Sequence, residues 1–206
     1  MGYDISVQTM SKLYRMVAHV HGQIQNISSL AQALRISSPT VIKYLNLLEG
    51  GFLIHRLEPY YVNTGKRLVK SPKIYFRDSG LLHQLSTIPS FEALQGNQLI
   101  GASWESYVIE QIRRALDESW QFYYYRTVAG AETDLVIITP GGVMTCVEIK
   151  YSIAPVITKG FYQSMEDLKP GHQYIIVPAG APYFFKEKLK VSNLKDFLEQ
   201  ELIAIL

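Results

Sequence analysis

Cysteine is almost missing from this chain. The single one, Cys146, has no intrachain partner, which excludes a disulfide-stapled scaffold and fits a reducing compartment. No apolar run approaches the ~18 residues that a membrane span needs. The opening Met1 to Met10 is polar and lacks the basic and apolar regions of a signal peptide, so the expected location is the cytoplasm, with no membrane partner. The Met1-Gly2 pair reads equally well as an added start, so the chain is not taken to be a complete gene product. Internal repeats and low-complexity tracts are missing too, which leaves no case for a repeat array.

What is present is a 206-residue chain, 48% hydrophobic, enough for one large or two small cored domains. The net charge of +2 is unevenly spread. Met1 to Ser86 holds ten Lys/Arg against four Asp/Glu, and Thr87 to Leu206 holds ten against fourteen. A basic first part beside an acidic second part argues for two functional units. Between them, Pro89 to Asn97 loses its apolar periodicity and gains Pro, Ser, Gly and Asn, as a linker does. The expected division is therefore residues 1–88 and 98–206, and the expected fold class is α+β overall.

In the first part, Leu13, Met16, Val17 and Val20 recur at helical spacing and Gly22 supplies a stop. Ser28 or Ser29 caps a short second helix, and Ser38-Pro39 opens a third that turns Val41, Tyr44, Leu45 and Leu48 inward before Gly50-Gly51. Phe52 to Leu57 and Lys73 to Phe76 read as strands, with Glu58 to Pro72 as a wing between them. The pattern is that of a winged helix-turn-helix. In the DNA-binding version, Ser38, Thr40, Lys43 and Asn46 enter a major groove, and the basic wing grips phosphates. Lys66, Arg67, Lys70, Lys73 and Arg77 fall within twelve residues, the first three of them in that wing. In the alternative, the three helices are a structural module packing on a partner domain. The third helix exposes one basic residue, Lys43, which is poor for a groove reader.

In the second part, Ile100 to Leu116 is an amphipathic helix with Glu105 one position from its apolar stripe. Strands follow at Gln121 to Arg126, Glu132 to Ile138 and Val143 to Lys150, the last two joined by a Pro140-Gly141-Gly142 hairpin. A helix from about Pro155 to Leu168, a strand His172 to Val177 and a terminal helix near Leu194 to Leu202 complete an α-β-β-β-α-β order. Glu148 and Lys150 share a strand face, and Asp134 sits on the strand paired across the hairpin. Two carboxylates and the backbone carbonyl of Ile149 make a hard-oxygen site suited to Mg²⁺ or Mn²⁺. A lysine beside such a metal can orient or help deprotonate an attacking water.

Asp134, thirteen residues, then Glu148-Ile149-Lys150 resembles motifs II and III of the PD-(D/E)XK nuclease superfamily. Glu105 matches that superfamily's first-helix acid, and Gln163 the glutamine of its Holliday-junction-resolvase-like members. The resemblance implies a catalytic set of Glu105, Asp134, Glu148, Lys150 and Gln163, with Glu105, Asp134, Glu148 and Ile149 as metal ligands. It also implies an α/β nuclease-like second domain, its central mixed sheet flanked by helices.

Nearly the whole chain is similar, more specifically, to the C-terminal part of a prokaryotic AAA+-type ATPase family. There a winged helix precedes a nuclease-like domain of unassigned function. The matching strings are Lys70-Ser71-Pro72-Lys73-Ile74-Tyr75-Phe76-Arg77-Asp78-Ser79-Gly80-Leu81, Gly101-Ala102-Ser103-Trp104-Glu105, Tyr124-Tyr125-Arg126 and Glu132-Thr133-Asp134. The family's P-loop is not in this sequence. The closest string, Thr64-Gly65-Lys66-Arg67, lacks the earlier glycine, so no ATP site is expected here, and the implied partner is an ATPase module absent from the chain.

Two functions stand side by side at this point. One is a Mg²⁺-dependent endonuclease acting on DNA or RNA, in which Glu105, Asp134 and Glu148 bring their carboxylates within ~4–8 Å of one another around a shared ion. The other is a non-catalytic regulatory or docking region of the ATPase, favoured by the acidic charge of the second part. A transcription regulator, resting on the helix-turn-helix alone, ranks behind both. Cys146 reads as a small buried residue, the histidines as packing or surface residues, and Glu132 as an edge charge or auxiliary ligand.

Overall fold

A computed structural model describes residues 6–205. The Met1-Gly2 pair, the first residues of the expected 1–88 division and the last residue of 98–206 lie outside them. The chain forms two compact units, Met1–Arg56 with Ser71–Ser106, and Leu57–Lys70 with Tyr107–Leu206.

The first unit begins with three helices, α1 (Val7–His19), α2 (Ile27–Leu34) and α3 (Ser38–Gly50). Each start is set by a side-chain cap: Ser6 accepts from the Thr9 amide, Asn26 from Ser29 and Ser37 from Thr40. The caps of α2 and α3 thus fall one to three residues earlier than expected. Arg35 ends α2 in the left-handed region at φ 56°. Two short strands, β1 (Ile54–Leu57) and β2 (Lys73–Phe76), pair with each other. Strand β1 starts at Ile54 rather than Phe52, because Phe52 itself is left-handed at φ 58° and exposed. Leu13, Val17, Leu30, Val41, Leu45, Ile54, Ile74 and Phe76 close one core, with α3 burying the expected positions. Helices α4 (Ser79–Leu85), capped by Asp78, and α5 (Phe91–Gln95), capped by Ser90, follow. The expected linker is thus partly helical and buries Leu94. Helix α6 (Ile100–Ala115) starts in this unit, and the division between units falls after Ser106.

The second unit is built on a six-stranded mixed sheet: β3 (Gln121–Arg126), β4 (Glu132–Ile138), β5 (Met144–Ile149), β6 (His172–Val177), β7 (Tyr183–Lys186) and β8 (Leu189–Asn193). Their spatial order is β3-β4-β5-β6-β8-β7, with β5–β6 and β6–β8 parallel and the other pairs antiparallel. Helix α7 (Lys159–Leu168) packs Phe161, Met165 and Leu168 against Val136, Cys146, Ile175 and Val191 of the sheet. It begins at Lys159 rather than Pro155 because the Thr158 hydroxyl accepts from the Phe161 amide. The chain closes with α8 (Leu194–Asp196), a π-helical turn Phe197–Glu201 and α9 (Leu202–Ala204), where one continuous helix was expected.

The segment expected as a free wing belongs to this second unit. Its two arms line the outer edge of β3: Tyr60 N–H donates to Tyr124 O at 2.7 Å, Tyr124 N–H to Glu58 O at 3.0 Å and Val69 N–H to Arg126 O at 3.0 Å. A sheet edge with unpaired backbone groups invites pairing, and residues 57–70 satisfy it. That demand outweighs any tendency of the segment to stand out as a basic loop.

Candidate active site on the central sheet

Strand pairing brings the carboxylates together. Leu135 pairs with Val147 and Val136 with Cys146, so the same antiparallel register extended one step sets Asp134 across from Glu148. On its other side β4 is irregular. Tyr123 pairs with Val136 but Tyr125 with Thr133, leaving Asp134 and Leu135 together opposite Tyr124. This is a β-bulge, a device that re-aims a side chain and loosens pairing beside functional sites. Tyr124 directs its backbone groups to Glu58 and Tyr60 at that point, so the bulge leaves none of them orphaned. The Asp134 Oδ2 accepts from the Ile149 amide at 2.8 Å, which fixes the carboxylate against the end of β5.

Glu148 is 3% exposed and Asp134 8%. The Lys150 ammonium, at the surface, lies 2.6 Å from Glu148 Oε1. The other oxygen, Oε2, is buried and has no hydrogen-bond partner. Burial is the main force raising the Glu148 pKa to about 8, the Asp134 charge raises it further and Glu132 adds a little, while Lys150 opposes them. A buried carboxylate with an unpartnered oxygen beside a second carboxylate is a costly arrangement that a cation would relieve. The donors fit a hard divalent ion: Asp134, Glu148 and the Ile149 carbonyl present oxygens only. Among the described residues, no group of three or more His, Cys, Asp or Glu side chains is gathered as a metal cage. Such an ion would take most of its ligands from water and substrate, as Mg²⁺ commonly does.

The remaining expected site residues are placed as follows. Gln163 on α7 is exposed and gives its amide to Glu166 at 2.9 Å and Asp167 at 3.4 Å. Glu132 pairs with Arg126 at 3.3 Å. Glu105 belongs to the first unit, where its Oε1 receives the Lys73 ammonium at 3.2 Å and the Tyr75 hydroxyl. Lys73 is 4% exposed and ion-paired, so it is an interior residue rather than a phosphate grip. Lys66 pairs with Asp167, and Arg67 and Lys70 are exposed. On α3, Lys43 is exposed, Ser38 and Thr40 are half-buried, and Thr40 shares a hydrogen bond with the Ser37 cap at 2.8 Å. The Asn46 side chain accepts from Arg56 at 2.7 Å, and that arginine is paired with Glu49.

Sequence reasoning missed two groups that support the site. Ser164 is buried under the sheet and bonds with the Thr133 hydroxyl at 2.6 Å and Glu132 O at 3.0 Å, tying α7 to the strand that carries Asp134. Asp167 receives Lys66 and, at 2.9 Å, the Tyr125 hydroxyl, tying α7 to the 57–70 segment. Serine and aspartate at exposed-looking helix positions carry no such signal in one sequence. Glycine does: a Cβ on Gly160 would meet Gly130 O at 2.4 Å, so the start of α7 approaches a turn that only glycine admits.

Two family models match the chain, each described as a domain of unknown function: DUF8612 over residues 2–92 and DUF4143 over residues 100–197. Uncharacterized proteins of Mycobacterium bovis (Mb2031c) and Mycobacterium tuberculosis (Rv2008c) are each 37% identical over 178 residues. The aligned region is 86% of this chain and 40% of theirs, so the chain spans less than half the length of these relatives. Among solved structures, a Thermococcus gammatolerans assembly of McrB AAA+ hexamers with bound McrC aligns at 10% identity and a TM-score of 0.36, over 96% of this chain and 76% of that one.

Proposed function

We propose that the second unit is a PD-(D/E)XK-type phosphodiesterase module acting on nucleic acid with a divalent metal. The observation that carries this reading is Glu148: buried, with one oxygen on Lys150 and the other unpartnered, beside Asp134. A buried acid with a raised pKa, beside a second carboxylate and a lysine at a strand end, is a functional-site candidate with a physical rationale. Asp134 and Glu148 would hold Mg²⁺ or Mn²⁺, which supplies Lewis-acid charge at the scissile phosphate. Lys150, at the surface end of the pair, would orient the attacking water with its ammonium. The bulge and the Ile149 amide keep the Asp134 carboxylate aimed at the same spot. A raised Glu148 pKa means that metal binding releases a proton near neutral pH.

The chain is further proposed to be the C-terminal portion of an AAA+-type ATPase-family protein, with the ATPase module in the additional length of the relatives. The first unit is the accompanying winged helix. Because its expected wing lies along β3, the module serves docking better than groove reading.

The test is hydrolysis of single- and double-stranded DNA and RNA with Mg²⁺ and with Mn²⁺, by the native chain, Asp134→Ala and Glu148→Ala. Activity in the native chain that falls at least about 100-fold in both variants supports the reading. In parallel, millimolar Mn²⁺ raises the native thermal midpoint by mass action and leaves Asp134→Asn unmoved. Inactivity together with equal midpoints favours the non-catalytic docking region.

A further inference from the structure

The far edge of the sheet carries an aromatic and basic hairpin that the proposed chemistry leaves unused. Strand β7 is terminal, and all four of its residues are exposed, Phe184 at 66%. Tyr183-Phe184-Phe185 puts three aromatic rings in water, a grouping that marks an interaction surface. From Tyr183 to Lys190 there are three lysines against one glutamate, in a half of the chain that is otherwise acidic. The Lys186 ammonium lies 4.2 Å from the Tyr162 ring centroid, and that of Lys190 lies 5.5 Å from the Phe184 ring while pairing with Glu201.

The hairpin lies in line with the carboxylates. Glu148 pairs with Ile175, Ile175 with Val191 and Val191 with Tyr183, a single row across four strands. Three steps at ~4.8 Å put Tyr183 about 14 Å from Glu148, at the same end of the sheet. Ile175 and Val191, between them, are buried under α7, so the row itself offers a strand no path.

The edge itself is unsuited to adding a further strand. Its register breaks between Phe184 and Lys186, and a bulge with a lysine is how natural sheets blunt an edge against pairing. What remains on offer is the ring faces and the cations, the two elements of a single-strand platform. We propose that the β7–β8 hairpin binds single-stranded nucleic acid, with Tyr183 and Phe184, on opposite faces of the edge strand, each stacking on a base, and Lys186 and Lys188 meeting phosphates. This rests on the phosphodiesterase reading for its purpose, but binding is measurable without it.

The experiment is fluorescence anisotropy with a labelled single-stranded oligothymidylate in EDTA, so that binding is read without cleavage. The full chain is compared with Tyr183→Ala/Phe184→Ala, Phe184→Trp and Lys188→Gln. These side chains are exposed, and unchanged circular dichroism confirms the fold of each variant. The double variant loses at least about tenfold in affinity, the tryptophan variant keeps it, and Lys188→Gln lowers the salt dependence. Native affinity in the double variant, or no binding by the native chain at low salt, overturns the proposal. So does a change in self-association without a change in affinity, which would make the edge a protein-pairing surface. Aromatic-dependent binding without hydrolysis sinks the phosphodiesterase reading alone, and hydrolysis with aromatic-indifferent binding sinks this one alone.

Discussion

His21 shows how one buried side chain couples folding to pH. Its Nδ1 accepts the Phe76 amide at 3.1 Å, so Nε2 must carry the proton that reaches Ala102 O at 3.2 Å. Burial, the largest influence, lowers its pKa to about 4, against a partial opposing pull from the Ala102 carbonyl and a small further lowering from His83. The folded value lies below the unfolded one of 6.5. The stability it contributes is therefore present above pH 6.5 and is lost as pH falls toward 4. A native thermal midpoint that declines through this window, with a shallower decline in His21→Gln, is the expected outcome of a pH series of melts. Equal slopes would show that the ring is protonated without cost. The sequence marked this histidine only as a packing or surface residue, because helical periodicity says nothing about which ring nitrogen finds a partner. Glu148 and Lys150 were legible because strand alternation alone puts residues two apart on one face. The aim of Asp134 was not, since a bulge depends on what Glu58 and Tyr60 offer from far away in sequence.

Elements divide in the same way. Strands β2, β3, β4 and β6 begin and end where apolar, β-branched and aromatic runs do, and their limits were readable residue by residue. The β7–β8 hairpin was not: Tyr183-Phe184-Phe185-Lys186 has no alternation, because neither of its faces is buried. Helix α5 is too short to show a period, and the π turn at Phe197–Glu201 obeys a different one. Helix packing supplies a matched pair of tests. Gly160→Ala drives its new methyl into the Gly130 carbonyl, which is backbone and cannot rotate away, so a loss of about 1–3 kcal/mol in urea-measured stability is expected. Gly101→Ala, on α6 with nothing within 4 Å of the added carbon, should instead gain about 0.5–1 kcal/mol. Similar effects from both would mean that α7 does not depend on its close approach to that turn.

At the scale of the whole molecule, the second unit is discontinuous in sequence. Residues 57–70 complete the edge of β3, although more than fifty residues separate most of that segment from the strand. The sequence-contiguous division at residue 98 could not anticipate this, since composition and charge vary along the chain while edge pairing joins distant parts of it. A fragment of residues 98–206 would carry β3 with its outer edge bare and lack the Lys66–Asp167 pair. It is expected to aggregate or to unfold at lower denaturant than the full chain, and a synthetic 57–70 peptide should restore part of the difference. A fragment as soluble and stable as the full chain would show that the segment merely rests on the edge.

The lone thiol turns this sheet into its own clock. Cys146 is fully buried on β5, across from Val136 and two residues before Glu148, and burial holds its thiol well above the usual range. An aromatic disulfide reagent can reach it only when the middle of the sheet parts, so the colour released over time counts openings of the strand that carries the candidate acid. With one thiol in the chain there is no background to subtract. Labelling in the folded state should be slower by orders of magnitude than in denaturant, and slower again with Mn²⁺ if that ion clasps β4 to β5. Labelling at the denatured rate would reveal a sheet that breathes open at its centre.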